Sequence, residues 1–176
     1  MGWPPPKVNT MRALGRATSL VVPFRSLGPI TDQTQRTIAK CWANGRDLFV
    51  GDHVGVLFDV RHLPDNRWPP AAELRNHRGK LIGRNQTMSG MPWTDESGAD
   101  IVVGSGAERP GTFRLATNPG GHEVARAYYR QDPAAPLLKR IWRGSVVIEF
   151  EQSATDRDRA FAVATAWIRC VCDDVE

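Results

Sequence analysis

The stretch Thr155–Cys172, TDRDRAFAVATAWIRCVC, constrains what this chain folds into more than any other. Thr155 offers an N-cap hydroxyl, and Asp156 and Asp158 place negative charge in the first turn. Arg169 stands near the far end, where a cation suits the helix dipole. Between them Ala160–Ile168 reads AFAVATAWI, with Thr165 the only polar residue in nine. A surface helix needs one apolar stripe, whereas a helix apolar all round belongs in a core. At ~1.5 Å per residue it is ~25 Å long, short of a comfortable membrane span. Arg157, Arg159 and Arg169 also stand at its ends. The expectation is a core helix over about residues 156–172, wrapped by the rest of the domain. A membrane-inserted helix and a helix buried against a second chain are the alternatives.

What precedes this helix reads as β. Thirteen Pro and sixteen Gly, spread along 176 residues, favour many turns and short strands. Thr31–Ala43 has a mixed pattern that fits a short helix or a strand, and Asn44-Gly45 is a turn signal. From Asp47 to Leu63, Val54, Val56, Phe58 and Val60 alternate with the residues between them, the period of a strand with one buried face. Glu73–Arg75 enters a turn at Asn76-His77-Arg78-Gly79 and Lys80–Arg84 returns, a hairpin. Thr112–Leu115 enters Asn118-Pro119-Gly120-Gly121 and His122–Arg126 returns in the same way. Ile101–Val103 reads as a short buried strand. Leu137–Trp142 and Val146–Phe150 form a last pair, with Val146, Ile148 and Phe150 on one face.

Strand–(D/N)xxG–strand units that end in a small residue and an arginine (Ile82-Gly83-Arg84; Val124-Ala125-Arg126), followed by an acid-capped, Ala-rich terminal helix, resemble the tubby C-terminal-like superfamily. The likeness is to its LURP-one-related and phospholipid-scramblase-like members and covers roughly residues 45–172. It implies a mainly β (α+β) fold, a closed antiparallel β-barrel wrapped around a hydrophobic C-terminal helix. It also implies binding of anionic lipid. Two features depart from the family: long loops at 64–72 and 88–110, and a basic N-terminal arm. The family's lipid-binding cations have no residue-by-residue match here.

No motif for catalysis emerges. His53, His62, His77 and His122 make no metal-ligand spacing, and Cys41, Cys170 and Cys172 form no ligand pattern. Buried free thiols in a reducing compartment fit the cysteines. There is no G-x-S-x-G, and Gly104-Ser105-Gly106 is not followed by G-K-[ST]. Paired acids such as Asp95-Glu96 adjoin in sequence rather than face one another, as acid–base chemistry requires. The expectation is a protein that is not an enzyme and uses no cofactor or metal.

Charge points to binding instead. The net charge is +4, which attracts phosphate-rich partners without choosing between nucleic acid and lipid. Arg75, Arg78, Lys80 and Arg84 cluster on the first hairpin, with Arg126 and Arg130 on a later one. Side by side, the two hairpins would make one basic patch. Trp3, Trp68 and Trp93 each stand near a proline in loops, where a ring packs onto the domain, a partner or a lipid interface.

Residues 1–30 are expected to form an extended, basic, Pro-containing arm, and residues 31–176 a single domain. The arm carries Lys7, Arg12, Arg16 and Arg25 without an acid, and neither a signal-peptide core nor a myristoylation motif is present. Trp3, Leu20, Val22 and Phe24 give it apolar surface for interaction, and residues 18–28 are expected to pair with a sheet edge in this chain or in a neighbouring copy. The leading expectation is a non-enzymatic module, cytoplasmic and peripheral to the membrane, that binds anionic phospholipid headgroups. The rivals are a nucleic-acid-binding protein using the same face and an assembly protein that docks, or forms a homo-oligomer, through its arm.

Overall fold

A computed structural model describes residues 14, 17–23, 28–45, 47–52, 55–62, 71–85, 93–105, 113–116, 122–131, 133–134, 136 and 144–172. The fold is mostly β, an antiparallel sheet with one C-terminal helix. In chain order the strands are β1 (Ser19–Pro23), β2 (Pro29–Thr31), β3 (Thr37–Asn44), β4 (Asp47–Gly51), β5 (Val56–His62) and β6 (Ala72–Asn76). They continue with β7 (Leu81–Asn85), β8 (Trp93–Asp95), β9 (Asp100–Ser105), β10 (Phe113–Ala116), β11 (Ala125–Arg130) and β12 (Ser145–Phe150). The helix is α1 (Asp156–Cys172). From β2 to β12 each strand pairs with the next in sequence, as a chain of short hairpins must. β1 leaves this order and lies along β12, from Ser19 opposite Glu149 to Pro23 opposite Ser145. On its other side β1 meets β2 through one pair, Val21 with Thr31.

From Asp158 to Ala166 the helix is buried on every side. Ala160, Phe161, Ala162, Val163 and Ala164 have no exposure, and Thr165 and Ala166 have 1%. Thr165, the single polar residue of the run, is satisfied internally. Its hydroxyl donates to the Phe161 carbonyl at 2.7 Å and accepts from Trp93 Nε1 at 3.0 Å. At the N-terminus the Asp158 N–H donates to Thr155 Oγ1 at 3.2 Å, and the Thr155 N–H donates to Asp158 Oδ2 at 2.8 Å. This reciprocal cap fixes where the helix starts.

Helix and sheet approach closely at Gly83. A Cβ there would come 2.5 Å from Cζ of Phe161 and 2.9 Å from the Thr94 carbonyl oxygen. The small residue of the hairpin unit therefore makes room for a helix ring. Trp93 packs edge-on against the same ring, 5.4 Å between centroids. Such a pair contributes about 0.5–1.5 kcal/mol beyond its buried area. Trp93, which the sequence places in a loop, is instead a strand residue with no exposure, and its indole N–H donates to Thr165 of the helix.

Three hairpin turns share one geometry. In Asp32–Arg36, Asn76–Lys80 and Asp95–Ala99, the first side chain's Oδ1 accepts the N–H groups two and four residues on. Its carbonyl accepts the N–H three residues on. The fourth residue has positive φ: Gln35 at 64°, Gly79 at 73° and Gly98 at 84°. Glycine takes that conformation freely, whereas a side chain there costs of order 1 kcal/mol. Gln35 is the only non-glycine residue with positive φ among the described residues.

The N-terminal segment departs from the expected arm. Residues 19–23 and 29–31 are strands of this chain's own sheet, so of the two pairings foreseen for residues 18–28 it is the internal one. Leu20 is fully buried and Val22 is 2% exposed, in the same core as Ile148 and Ala127. Neither is available to a partner, because alternation along β1 turns both inward. Trp3 and Phe24 lie outside the described residues, as do the turn at 118–121 and the expected strand at 137–142. Thr31–Ala43 resolves as the end of β2 and most of β3.

Two outcomes test this architecture. Gly83→Ala should cost about 1–3 kcal/mol in denaturant unfolding, since ring and backbone both resist the new methyl. Phe161→Leu in the same chain should recover part of that loss. Deletion of residues 1–30 removes β1 and most of β2 and should abolish cooperative unfolding by circular dichroism; a truncated chain with an unchanged midpoint contradicts the internal role of β1.

Candidate functional site

The expected basic patch divides in two. β8, β9 and β10 lie between the β6–β7 hairpin and β11, so Arg75, Arg78, Lys80 and Arg84 do not join Arg126 and Arg130 side by side. On β11, Arg126 donates to Glu123 at 2.9 Å and stands opposite Glu149 of β12. Arg130, at the end of the same strand, is exposed. The candidate site is therefore the β6–β7 hairpin.

Along its strands the cations are matched to acids. Glu73 is 5% exposed and binds two guanidiniums, Arg75 through Nε at 3.1 Å and Arg84 through Nε at 3.1 Å. These bonds, that from Arg75 foremost, hold the Glu73 carboxyl below its usual range. Next to it Asp59, 4% exposed, accepts from Arg61 Nε at 2.7 Å. Burial pushes the Asp59 carboxyl up despite the Arg61 bond. The pairs follow the ladder: Arg61 faces Glu73, Glu73 faces Arg84, and Asp59 faces Arg75. Opposite charges on facing positions attract across a sheet. Three guanidiniums against two carboxylates leave this face nearly neutral.

The tip of the hairpin differs. Arg78 and Lys80 are exposed, and their side chains make no ion pair with any described residue. Their backbone N–H groups donate to Asn76 Oδ1 at 2.9 and 3.0 Å, and Arg75 Nη1 donates to the Gly79 carbonyl at 3.4 Å. A turn with its backbone tied down in this way presents two cations from a fixed support.

The neighbouring turn of the same kind, Asp95–Ala99, serves the helix instead. Asp95 Oδ2 accepts from Arg157 Nη2 at 3.1 Å, while its Oδ1 accepts the Ser97 hydroxyl at 2.6 Å. The Ser97 hydroxyl bond, then the Ala99 and Ser97 N–H groups and Arg157, hold its carboxyl at about 2. Arg157 also lies over the Phe161 ring, 5.7 Å from its centroid. Arg159, expected as an end cation, is 4% exposed. Its guanidinium donates to the Ala17 carbonyl and stacks 4.4 Å over the Phe150 ring. Burial lowers its pKa, with Asp156 and Asp158 opposing the shift. Asp95-Glu96-Ser97-Gly98 carries the same (D/N)xxG signal as Asn76–Gly79, and that signal marks its turn; Asp32–Gln35 lacks the glycine and hides its own.

Comparison with family models, with curated proteins and with solved structures returned no match. No helix among the described residues is long and apolar enough to cross a membrane.

The Asp95–Arg157 pair sets a pH dependence. The folded pKa of Asp95 lies below the ordinary 3.8, so its contribution to stability is complete above that value and is lost as pH falls toward about 2. The Asp95 carboxyl carbon should titrate by NMR with a midpoint near about 2. In Arg157→Gln the midpoint should rise, and an unchanged midpoint there contradicts the pairing.

Proposed function

We propose that this protein is a non-enzymatic binding module of tubby-like architecture, a closed antiparallel barrel around α1, that engages anionic phospholipid headgroups through the tip of its β6–β7 hairpin. The closed form is supported by the burial of residues 158–166 of α1 on all faces and by the Val21–Thr31 pair that joins β1 to β2. The observation that carries the binding reading is the asymmetry within the hairpin. Arg75 and Arg84 are held by Glu73, whereas Arg78 and Lys80 are exposed at a backbone-anchored turn.

The magnitudes make this a weak, reversible contact. A cation near an anionic membrane surface contributes ~1 kcal/mol, so the two tip residues supply ~2 kcal/mol. On this reading the protein is cytoplasmic and peripheral to the membrane. It associates through electrostatics, and inserts no helix.

Nucleic acid is the rival for the same tip. Two phosphate contacts give a log–log salt slope of only about −1.8, far less than proteins that bind duplexes firmly. Assembly through the arm loses two of its four residues, since Leu20 and Val22 belong to this chain's core.

Vesicle pelleting tests the lipid reading. The protein should pellet with phosphatidylcholine vesicles containing phosphatidylserine and stay in solution with phosphatidylcholine alone. Arg78→Ser with Lys80→Ser should lower the partition by up to about thirtyfold without moving the melting temperature. Glu73→Gln, which frees Arg75 and Arg84, should raise it. Pelleting that ignores the double variant sinks the reading, and binding of a DNA duplex without vesicle association transfers the tip to nucleic acid.

A further inference from the structure

A second site lies on the outer face of the sheet, away from the β6–β7 tip. There residues of the β2–β3 turn and of β1, β12 and β11 line a partly open cavity of about 260 Å³. Its floor is a single cross-strand row in which Val147 lies between Val21 and Tyr128. Val147 is 4% exposed although, unlike Val146 and Ile148, it is not part of the core around the helix. Thr31, Asp32, Gln33, Gln35 and Arg130 complete its lining. Arg130 makes no hydrogen bond or ion pair with any described residue. The Tyr128 hydroxyl donates to Glu149 Oε1 at 3.4 Å, which fixes the ring beside the floor.

Gln35 gives the cavity its second mark. Two other turns of identical hydrogen bonding place glycine at this left-handed position, Gly79 and Gly98. Among these three turns only the one that lines the cavity carries a side chain at this position, and Gln35 is itself a lining residue. A strained residue retained where a strain-free one fits the same turn points to a use for its side chain.

We propose that this cavity binds a small organic monocarboxylate with a compact apolar body. The body lies on Val21, Val147 and the Tyr128 ring, and the carboxylate meets the Arg130 guanidinium, whose planar fork matches it. The Gln33 and Gln35 amides supply further hydrogen bonds. Asp32 favours a single negative charge over a phosphate dianion. It is one of the lining residues, and its carboxylate is kept ionised by the Thr34 hydroxyl and the Thr34 and Arg36 N–H groups, so it repels a second charge. The volume is below the ~300–1,000 Å³ that holds drug-sized ligands, which favours a compact occupant.

Benzoate is a suitable probe, followed by ¹⁵N NMR on the full chain. Saturable shifts should be confined to β1, β11, β12 and residues 31–36. Benzamide, of the same shape without the charge, should bind at least tenfold more weakly, and Arg130→Gln should weaken benzoate by a similar factor. Gln35→Gly should raise the melting temperature and weaken benzoate together, a combination that a merely structural turn does not produce. Absence of saturable shifts at these residues, equal binding of benzamide, or unchanged benzoate affinity in either variant overturns the proposal. None of these outcomes depends on Arg78 or Lys80, so failure here is distinct from failure of the vesicle experiment.

Discussion

A helix without a polar face obliges the rest of the chain to cover it, and the structure follows from that obligation. Seven consecutive residues, Ala160–Ala166, have at most 1% exposure. Each methyl group of the alanines lets backbone approach, and the one large side chain among them, Phe161, needs a recess. Gly83 provides it, and Trp93 closes its edge. Burying Phe161 alone is worth about 1.5–3 kcal/mol, comparable to a sizeable fraction of a domain's net stability. The hydroxyl of Thr165 then bonds both the helix and Trp93, so the only polar group of the run ties strand to helix rather than weakening the core.

The turns divide the labour around this core. The Asp95 turn anchors the helix entrance through Arg157, the Asn76 turn carries two exposed cations, and the Asp32 turn lines a cavity together with β1, β12 and β11. Their backbone hydrogen bonds are the same, so the difference lies in what their side chains are: an acid paired with the helix, cations toward solvent, or glutamines beside a cavity. A repeated local structure thus serves one structural and two candidate binding roles.

Charge on the sheet face behaves differently from charge at the turns. Glu73 and Asp59 are almost fully buried, while the arginines that pair with them are a third or more exposed. Their consequence is for recognition. They neutralise most of a face that reads as basic when arginines alone are counted, and they leave the positive potential to the hairpin tip.

The sequence by itself determined the elements whose signals are local. The helix was legible because its cap, dipole charges and unbroken apolar run lie within eighteen residues. The β6–β7 hairpin was legible because Asn76 and Gly79 bracket its turn, and the inward face of β12 because Val146, Ile148 and Phe150 alternate. Only the tertiary structure decided what each local signal meets. Leu20 and Val22 look like an exposed apolar arm until β12 appears beside them, and Trp93 looks like a loop residue until Thr165 offers it an acceptor. The arginines of two hairpins look like one patch until three strands come between them. Pairing across 72 to 130 residues leaves no periodic trace in either partner, because each strand keeps the same alternation whichever neighbour it finds. That is why the fold could be read from the chain in outline, while the burial of its N-terminal strand, the neutralised face and the cavity beside Gln35 could not.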